Sequence, residues 1–213
     1  GIAIDRENRI YVTGKFRGNA DFGSGVVLDG YTGDDIFVAR FDTAGTCHWA
    51  RRAGGTSADE ARGISVRAEG DVYITGTCGG STVTFDGINI TNPSNSRQVV
   101  LAGYDSTGTV QWARLTQGAG GGKSARAISI AGDQIFVTGQ LGYTAATYDG
   151  QMITPSAQGA YLYVLATDLD GDAQWARSFG NGDNEGMGIS ADTLGNVFVA
   201  GRLWGDLQFS DDT

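Results

Sequence analysis

An all-β fold built from repeated four-stranded units is what this sequence predicts, on three observations. First, a block returns twice. Residues 35–55, 98–118 and 161–181 each read as an apolar strand, a turn containing Gly45, Gly108 or Gly171, and a second strand ending in Trp-Ala-Arg. The tryptophans of these triplets, Trp49, Trp112 and Trp175, stand at an even spacing of 63 residues. Second, a strand rich in β-branched and aromatic residues precedes each block, and its glycine recurs at Gly14, Gly76, Gly139 and Gly201. A fixed period of this kind marks a repeat architecture. Third, the 213 residues include 35 Gly and only 2 Pro, with 40% hydrophobic residues and no helical period. That balance fits a turn-rich globular chain and is too apolar for a disordered one.

Taken in order, residues 1–5 (GIAID) read as a short first strand and residues 10–16 (IYVTGKF) as a second. Gly14 inside that strand predicts a bulge or a close backbone approach. Residues 17–34 read as a long connection, and 36–41 and 47–51 as the third and fourth strands. The pattern restarts at Gly63 (GISVR), Ala127 (AISIA) and Gly188 (GISAD), giving units at 1–62, 63–126, 127–187 and the first half of a fourth at 188–213. An aromatic anchor recurs in the long connections at Phe22, Phe85, Tyr148 and Phe209. Strands such as Ile36-Phe37-Val38-Ala39 are apolar on both faces, as strands covered on both sides are. Four-stranded units stacked face to face around an axis meet that need, so the expected architecture is a β-propeller of four-stranded blades.

The blocks GI-(A/S)-(I/V), (I/V)-(Y/F)-(V/I)-T-G, F-V-A-R-(F/Y)-D-x-x-G and W-A-R, recurring in fixed order over essentially the whole chain, resemble the bacterial β-propeller repeats known as SBBP repeats. Departures are confined to turn and edge positions, with Arg67 and Ala131 against Asp5 and Asp192, and Gly103 and Ala166 against Arg40. The resemblance implies a secreted or cell-surface bacterial protein with an interaction role, and no known reaction. Three and a half units fall short of the about 4–8 blades of a closed propeller, so the expectation is a larger ring, completed by further blades in the same chain or by a homo-oligomer. Gly1 falls within the repeat pattern, so a start upstream of it is also expected.

A formal net charge of −9 argues against nucleic-acid partners, which need a basic footprint. No apolar run reaches the about 18 residues of a membrane-spanning helix, so no membrane insertion is expected. The two cysteines, Cys47 and Cys78, allow a single bridge; their counterparts in other units are ordinary apolar residues, which favours two half-buried thiols.

Chemistry-bearing motifs are sparse. The single histidine, His48, stands where the other units carry Gln111 and Gln174, and is read as structural; no catalytic residue is assigned. The best metal candidate is the turn Asp168, Asp170, Asp172 around Gly171, whose alternating carboxylates could offer hard oxygens to Ca²⁺, although a plain hairpin turn explains it as well. Residues 118–122 (GAGGG) followed by Lys123-Ser124 fail the phosphate-loop pattern, because Gln117 stands where the opening glycine belongs. Asn89-Ile90-Thr91 fits a glycosylation acceptor but carries little weight in a bacterial-type chain. The Trp-Ala-Arg triplets (Trp49, Arg51; Trp112, Arg114; Trp175, Arg177) are read as packing between units, since every complete unit has one. Unit-specific residues in the long connections, among them Tyr143, Asn92, Asn95 and Gln158, are the candidate binding positions. The functional expectation is therefore a non-catalytic extracellular scaffold or binding module for a protein or glycan partner. A propeller hydrolase or lyase acting on polysaccharide is one alternative, and a fibre or surface-layer subunit joined through open strand edges is another.

Overall fold

The structure, a computed structural model, describes residues 1–154, 159–180 and 182–204. The expected all-β class is what it shows: every regular element among these residues is a strand. The first unit comprises β1 (Ile2–Ile4), β2 (Ile10–Asp21), β3 (Val27–Phe41) and β4 (Cys47–Gly54), paired in that order and antiparallel throughout. The second comprises β5 (Glu60–Val66), β6 (Val72–Cys78), the hairpin β7 (Thr82–Phe85) and β8 (Ile88–Thr91), then β9 (Gln98–Tyr104) and β10 (Val110–Leu115). Its sheet runs β10-β9-β6-β5, while the β7–β8 hairpin crosses to pair with β4, extending the first sheet to six strands. The third repeats the plan with β11 (Ser124–Ala131), β12 (Gln134–Leu141), the hairpin β13 (Ala146–Tyr148) and β14 (Gln151–Ile153), β15 (Tyr161–Asp168) and β16 (Ala173–Phe179). Finally β17 (Glu185–Ala191) pairs with β18 (Val197–Arg202).

The three long connections take different forms. Residues 17–34 do not leave the sheet: β2 and β3 continue as one long hairpin to Asp21 and Val27, with a register shift at Gly18, where φ is +67°. The ladder is interrupted there, with Gly18 standing opposite residues 30–33 of β3 between the Arg17–Asp34 and Asn19–Asp29 pairs, and the absence of proline lets pairing resume beyond it. In the later units the same region forms a separate hairpin. Its anchors Phe85 and Tyr148 are fully buried. Phe209 lies outside the described residues.

The repeated glycine of the second strand has a specific cause. Opposite Gly76 the ladder skips Arg62, opposite Gly139 it skips Arg126, and opposite Gly201 it skips Met187. Each bulge pushes a carbonyl at the glycine, so a Cβ on Gly76 would lie 2.0 Å from the Glu60 oxygen and one on Gly139 2.1 Å from that of Ser124. At Gly14 itself the expected bulge is not seen: it pairs in regular register with Phe37, and a Cβ there would meet the Phe37 ring at 2.9 Å.

Both faces of the central sheet are covered. Val72, Ile74, Val100 and Ala102 pack with Tyr11, Ile36, Val38 and Trp49 of the first sheet. The alternate residues Tyr73, Val99 and Leu101 pack with Ile135, Val137, Tyr163 and Leu165 of the third. This explains why β9 is apolar at successive positions: its two faces serve two cores. Each fully buried Val, Leu or Ile contributes roughly 1.5–3 kcal/mol. The first strands β1, β5, β11 and β17 lie against one another in succession.

Candidate binding groove and the repeat-signature residues

The hairpin turn between the third and fourth strands is built the same way in each unit. Asp42, Asp105 and Asp168 each accept, on one carboxylate oxygen, the amides two and four residues on. The other oxygen accepts from the side chain six residues on: His48 Nε2 lies 3.0 Å from Asp42 and Gln111 Nε2 donates over 2.9 Å to Asp105, while Gln174 Nε2 donates to Asp168 over 3.3 Å. His48, Gln111 and Gln174 all sit at a bulge in the ladder, which swings them back over the turn. His48 is therefore a turn-tying residue. The Thr46 amide first, and then His48, hold the Asp42 carboxyl below the usual carboxylate range.

This construction also occupies the candidate metal turn. Both Asp168 oxygens are committed to the turn, and Asp172 is ion-paired with Arg114 of the preceding unit. Asp170 points to solvent. Among the described residues no group of three or more His, Cys, Asp or Glu is placed to hold a metal ion. The acidic turn at Asp192 has the same Asx geometry, with its amide donors at Leu194 and Asn196.

The Trp-Ala-Arg triplets bridge successive units. The Trp49 ring packs on Gly108 and the Trp112 ring on Gly171, where a Cβ would come within 2.7 Å and 2.6 Å of ring atoms. Arg51 Nε donates to the Gly108 carbonyl over 2.9 Å, and Trp112 Nε1 to that of Leu169 over 2.9 Å. The first two triplets thus hold the glycine-tipped turn of the next unit.

One position changes chemistry from unit to unit while staying buried. Immediately before β5, β11 and β17 stand Asp59, Lys123 and Asn184. Asp59 accepts the amides of Gly55 and Gly79, both over 2.8 Å. Lys123 instead donates to the carbonyls of Gly118, Ala119 and Gly120 at 2.8–3.1 Å, so the glycine-rich loop turns carbonyls inward and offers no amide cradle to phosphate. Asp59 shares its surroundings with Asp35, another buried carboxylate. Asp35 Oδ1 has no hydrogen-bond partner, and it and Asp59 Oδ2 crowd the same hydrogen of Gly54. Burial, and secondarily the Asp35 charge, push the Asp59 carboxyl up to about 6; burial raises Asp35 too. Beside them the Cys78 thiol is pushed well up by burial. Cys47 and Cys78 are both buried free thiols.

Unit-specific residues converge in one groove of about 610 Å³, between the long β2–β3 hairpin and the β7–β8 hairpin. Its centre is Tyr31, with the Arg52 guanidinium 3.7 Å from the ring centroid. Arg52 also donates to the Asp29 carbonyl, and Arg51 faces Asp86 at 3.5 Å from the hairpin tip. The buried Asp35 carboxylate accepts the Tyr31 amide, which fixes the platform from beneath. Counting from the tryptophans, Leu115 and Ser178 stand where Arg52 does, so the repeat does not require this arginine. The chain matches no protein-family model and no curated protein.

Of the loop candidates, Tyr143 is exposed and Asn95 occupies an exposed turn tip at φ +51°. Asn92, expected at the surface, is fully buried: its Nδ2 donates to the Gly80 and Ser96 carbonyls and its Oδ1 accepts from Ser94. Gln158 lies outside the described residues. Asn89 is tied to Thr84 across its own hairpin. Tyr31, although inside the connection 17–34, and Arg52, just past the fourth strand expected at 47–51, were not singled out in the sequence; the signal available was the departure of Arg52 from Leu115 and Ser178.

Proposed function

We propose that this chain is a run of β-propeller blades serving as a non-catalytic binding module, extracellular or at a bacterial cell surface, and that the Tyr31–Arg52 groove takes a glycan carrying carboxylate groups. The repeat resemblance to SBBP sequences and the stacking of successive sheets through Trp-Ala-Arg triplets support the propeller reading. The observation that carries the binding reading is the Tyr31–Arg52 pair itself: an aromatic ring whose backbone amide is held by Asp35 and a guanidinium tied to the Asp29 carbonyl, at positions the repeat leaves open. A ring face suits the apolar side of a sugar, and a guanidinium pairs with carboxylate through directed hydrogen bonds.

Calorimetric titration with uronic-acid oligosaccharides, set against neutral oligosaccharides of equal length, tests the proposal. Binding of the acidic series, weakened at least tenfold by Arg52→Ala and by Tyr31→Ala, is expected. Equal binding of both series, or binding untouched by the two substitutions, refutes it.

A further inference from the structure

The notch where the first unit meets the turn of the second differs in chemistry from its counterpart one unit on. Directly opposite the fourth-strand tryptophan, the third strand carries Arg40 in the first unit, Gly103 in the second and Ala166 in the third. Residues paired across a ladder are close neighbours on one face, so of the three tryptophans Trp49 alone has a guanidinium beside it. The notch around it, of about 620 Å³, is lined by Arg40, His48 and Arg51 with Ser106 and Thr107 of the next unit, and by no carboxylate. The notch at the following seam, of about 450 Å³, sets Asp71, Asp105 and Asp170 against Arg67. One construction thus occurs with opposite charge, and the basic version stands in a chain of formal net charge −9.

The basic notch is short of acceptors. Trp112 Nε1 donates to the Leu169 carbonyl over 2.9 Å. The corresponding carbonyl, that of Ser106, lies 3.5 Å from Arg40 Nη1, while Trp49 Nε1 and Arg40 Nε are buried without a partner. Buried donors in folded proteins are as a rule paired. Arg40 itself is only half-buried, and its Nη2 makes no hydrogen bond among the described residues. His48 and Arg51 face Asp42 and Asp86, whereas Arg40 has no ion pair among the described residues. Every lining residue falls between Gly25 and Thr107, far in sequence from residues 155–158, 181 and 205–213.

We infer that the Arg40 notch is a second carboxylate subsite for the ligand of the Tyr31–Arg52 groove, so that this ligand is a polyuronate, a sugar chain carrying carboxylates on more than one residue. The inference rests on the acidic-glycan reading of that groove. The two cavities share Val27, Ala50 and Arg51 in their linings, so a chain leaving Tyr31 passes over Arg51 to reach Arg40. Val27, 53% exposed, offers a sugar an apolar contact on the way. At the far end a carboxylate pairs with the Arg40 guanidinium from its unpartnered Nη2 side, through charge-assisted hydrogen bonds. Arg40 drawn toward the ligand leaves the Ser106 carbonyl to the Trp49 indole N–H, which then makes the bond that Trp112 makes one unit on. The Trp49 indole is therefore the reporter of the notch.

The test titrates the isotope-labelled whole chain with a hexasaccharide of galacturonic acid, following the Trp49 indole N–H resonance by NMR and the affinity by calorimetry. The methyl ester of the same hexasaccharide serves as the uncharged control. One-to-one binding that moves the Trp49 resonance is expected, with no such movement for the ester. Arg40→Ala should weaken binding at least tenfold and abolish the movement; the fold accepts alanine there, since Ala166 holds the same place opposite Trp175. Arg6→Ala, at an exposed turn outside both cavities, should leave affinity within twofold, which separates a contact from the loss of one positive charge. Binding weakened by Arg52→Ala but unchanged by Arg40→Ala, with the Trp49 resonance still, overturns the notch and leaves the Tyr31 groove standing. Binding weakened by Arg40→Ala but not by Arg52→Ala, or two hexasaccharides per chain, overturns the shared ligand. Indifference to both substitutions overturns both readings.

Discussion

The Asp35–Asp59 pair makes a quantitative prediction about pH. Asp59 titrates near 6 in the folded protein against 3.8 as its ordinary value. Between those values the folded chain holds a proton that the unfolded chain has released, so stability falls as pH rises through the window and the full penalty is present above it. A displacement of about two pK units corresponds to about 3 kcal/mol. Asn184 occupies the same place before β17, accepting a backbone amide with its carbonyl oxygen and leaving Nδ2 without a partner. Asp59→Asn should remove the pH-dependent penalty while adding a pH-independent cost, because its Nδ2 would face one of the two amides that Asp59 accepts. Urea denaturation of both proteins from pH 3 to pH 7.5, at low micromolar concentration because the isoelectric point near 4.4 lies inside the window, gives the difference in stability at each pH. Carboxylates elsewhere, including those depressed by turn amides such as Asp42 and Asp192, pull in the opposite sense but cancel in the difference. Relative to the variant, the parent should lose about 3 kcal/mol between pH 3 and pH 7. A difference that stays flat within about 0.5 kcal/mol, well below one pK unit's worth, would show that Asp59 is solvated and that the buried pair has been misread.

Other predictions follow from the seams and thiols. Gly45 and Gly108 share the same turn geometry, with φ of +82° and +81°, but only Gly108 lies under a tryptophan. Gly45→Ala should cost about 1 kcal/mol for the left-handed backbone, and Gly108→Ala about 1–3 kcal/mol more through overpacking against Trp49; equal losses in urea titrations would mean that Trp49 does not rest on that turn. Thiol titration with a chromogenic disulfide should find both cysteines unreactive over minutes in the native protein and both reactive in urea. Rapid native labelling of Cys78 would contradict its burial. The weakening of acidic-glycan binding by Arg52→Ala and Tyr31→Ala completes the set.

Much of the scaffold is legible in the chain because it repeats. The period placed every third and fourth strand, the turn aspartates and the tryptophans, since each unit must solve the same packing problem with the same residue types. His48 was legible in part: Gln111 and Gln174 in its place marked a structural polar position, and the structure adds that all three side chains tie the turn aspartate. The metal turn at Asp168, Asp170 and Asp172 was open in sequence, because alternating carboxylates look alike whether they face a cation or their own backbone amides. Residues 17–34 were misjudged as a connection because a ladder that skips residues 30–33 opposite Gly18 leaves no periodic signature. Asn92 misled for a related reason, polarity in a loop being no guide to burial when the loop folds over its own side chain.

By itself, then, the sequence determined the all-β class and the recurring turn and tryptophan positions, because local pattern and repetition encode them directly; that the second and third units each carry an extra hairpin, six strands in place of the expected four, was decided by the tertiary structure. Only the tertiary structure decided that Asp35 meets Asp59 across Gly54, that Lys123 is caged by carbonyls, and that Arg52 lies over Tyr31. Those meetings join residues of different strands and units at positions where the repeat imposes no common residue, so nothing periodic in the chain announces them. Burial, which sets the protonation of the acidic pair and the rigidity of the groove, is a property of what the neighbouring sheets cover.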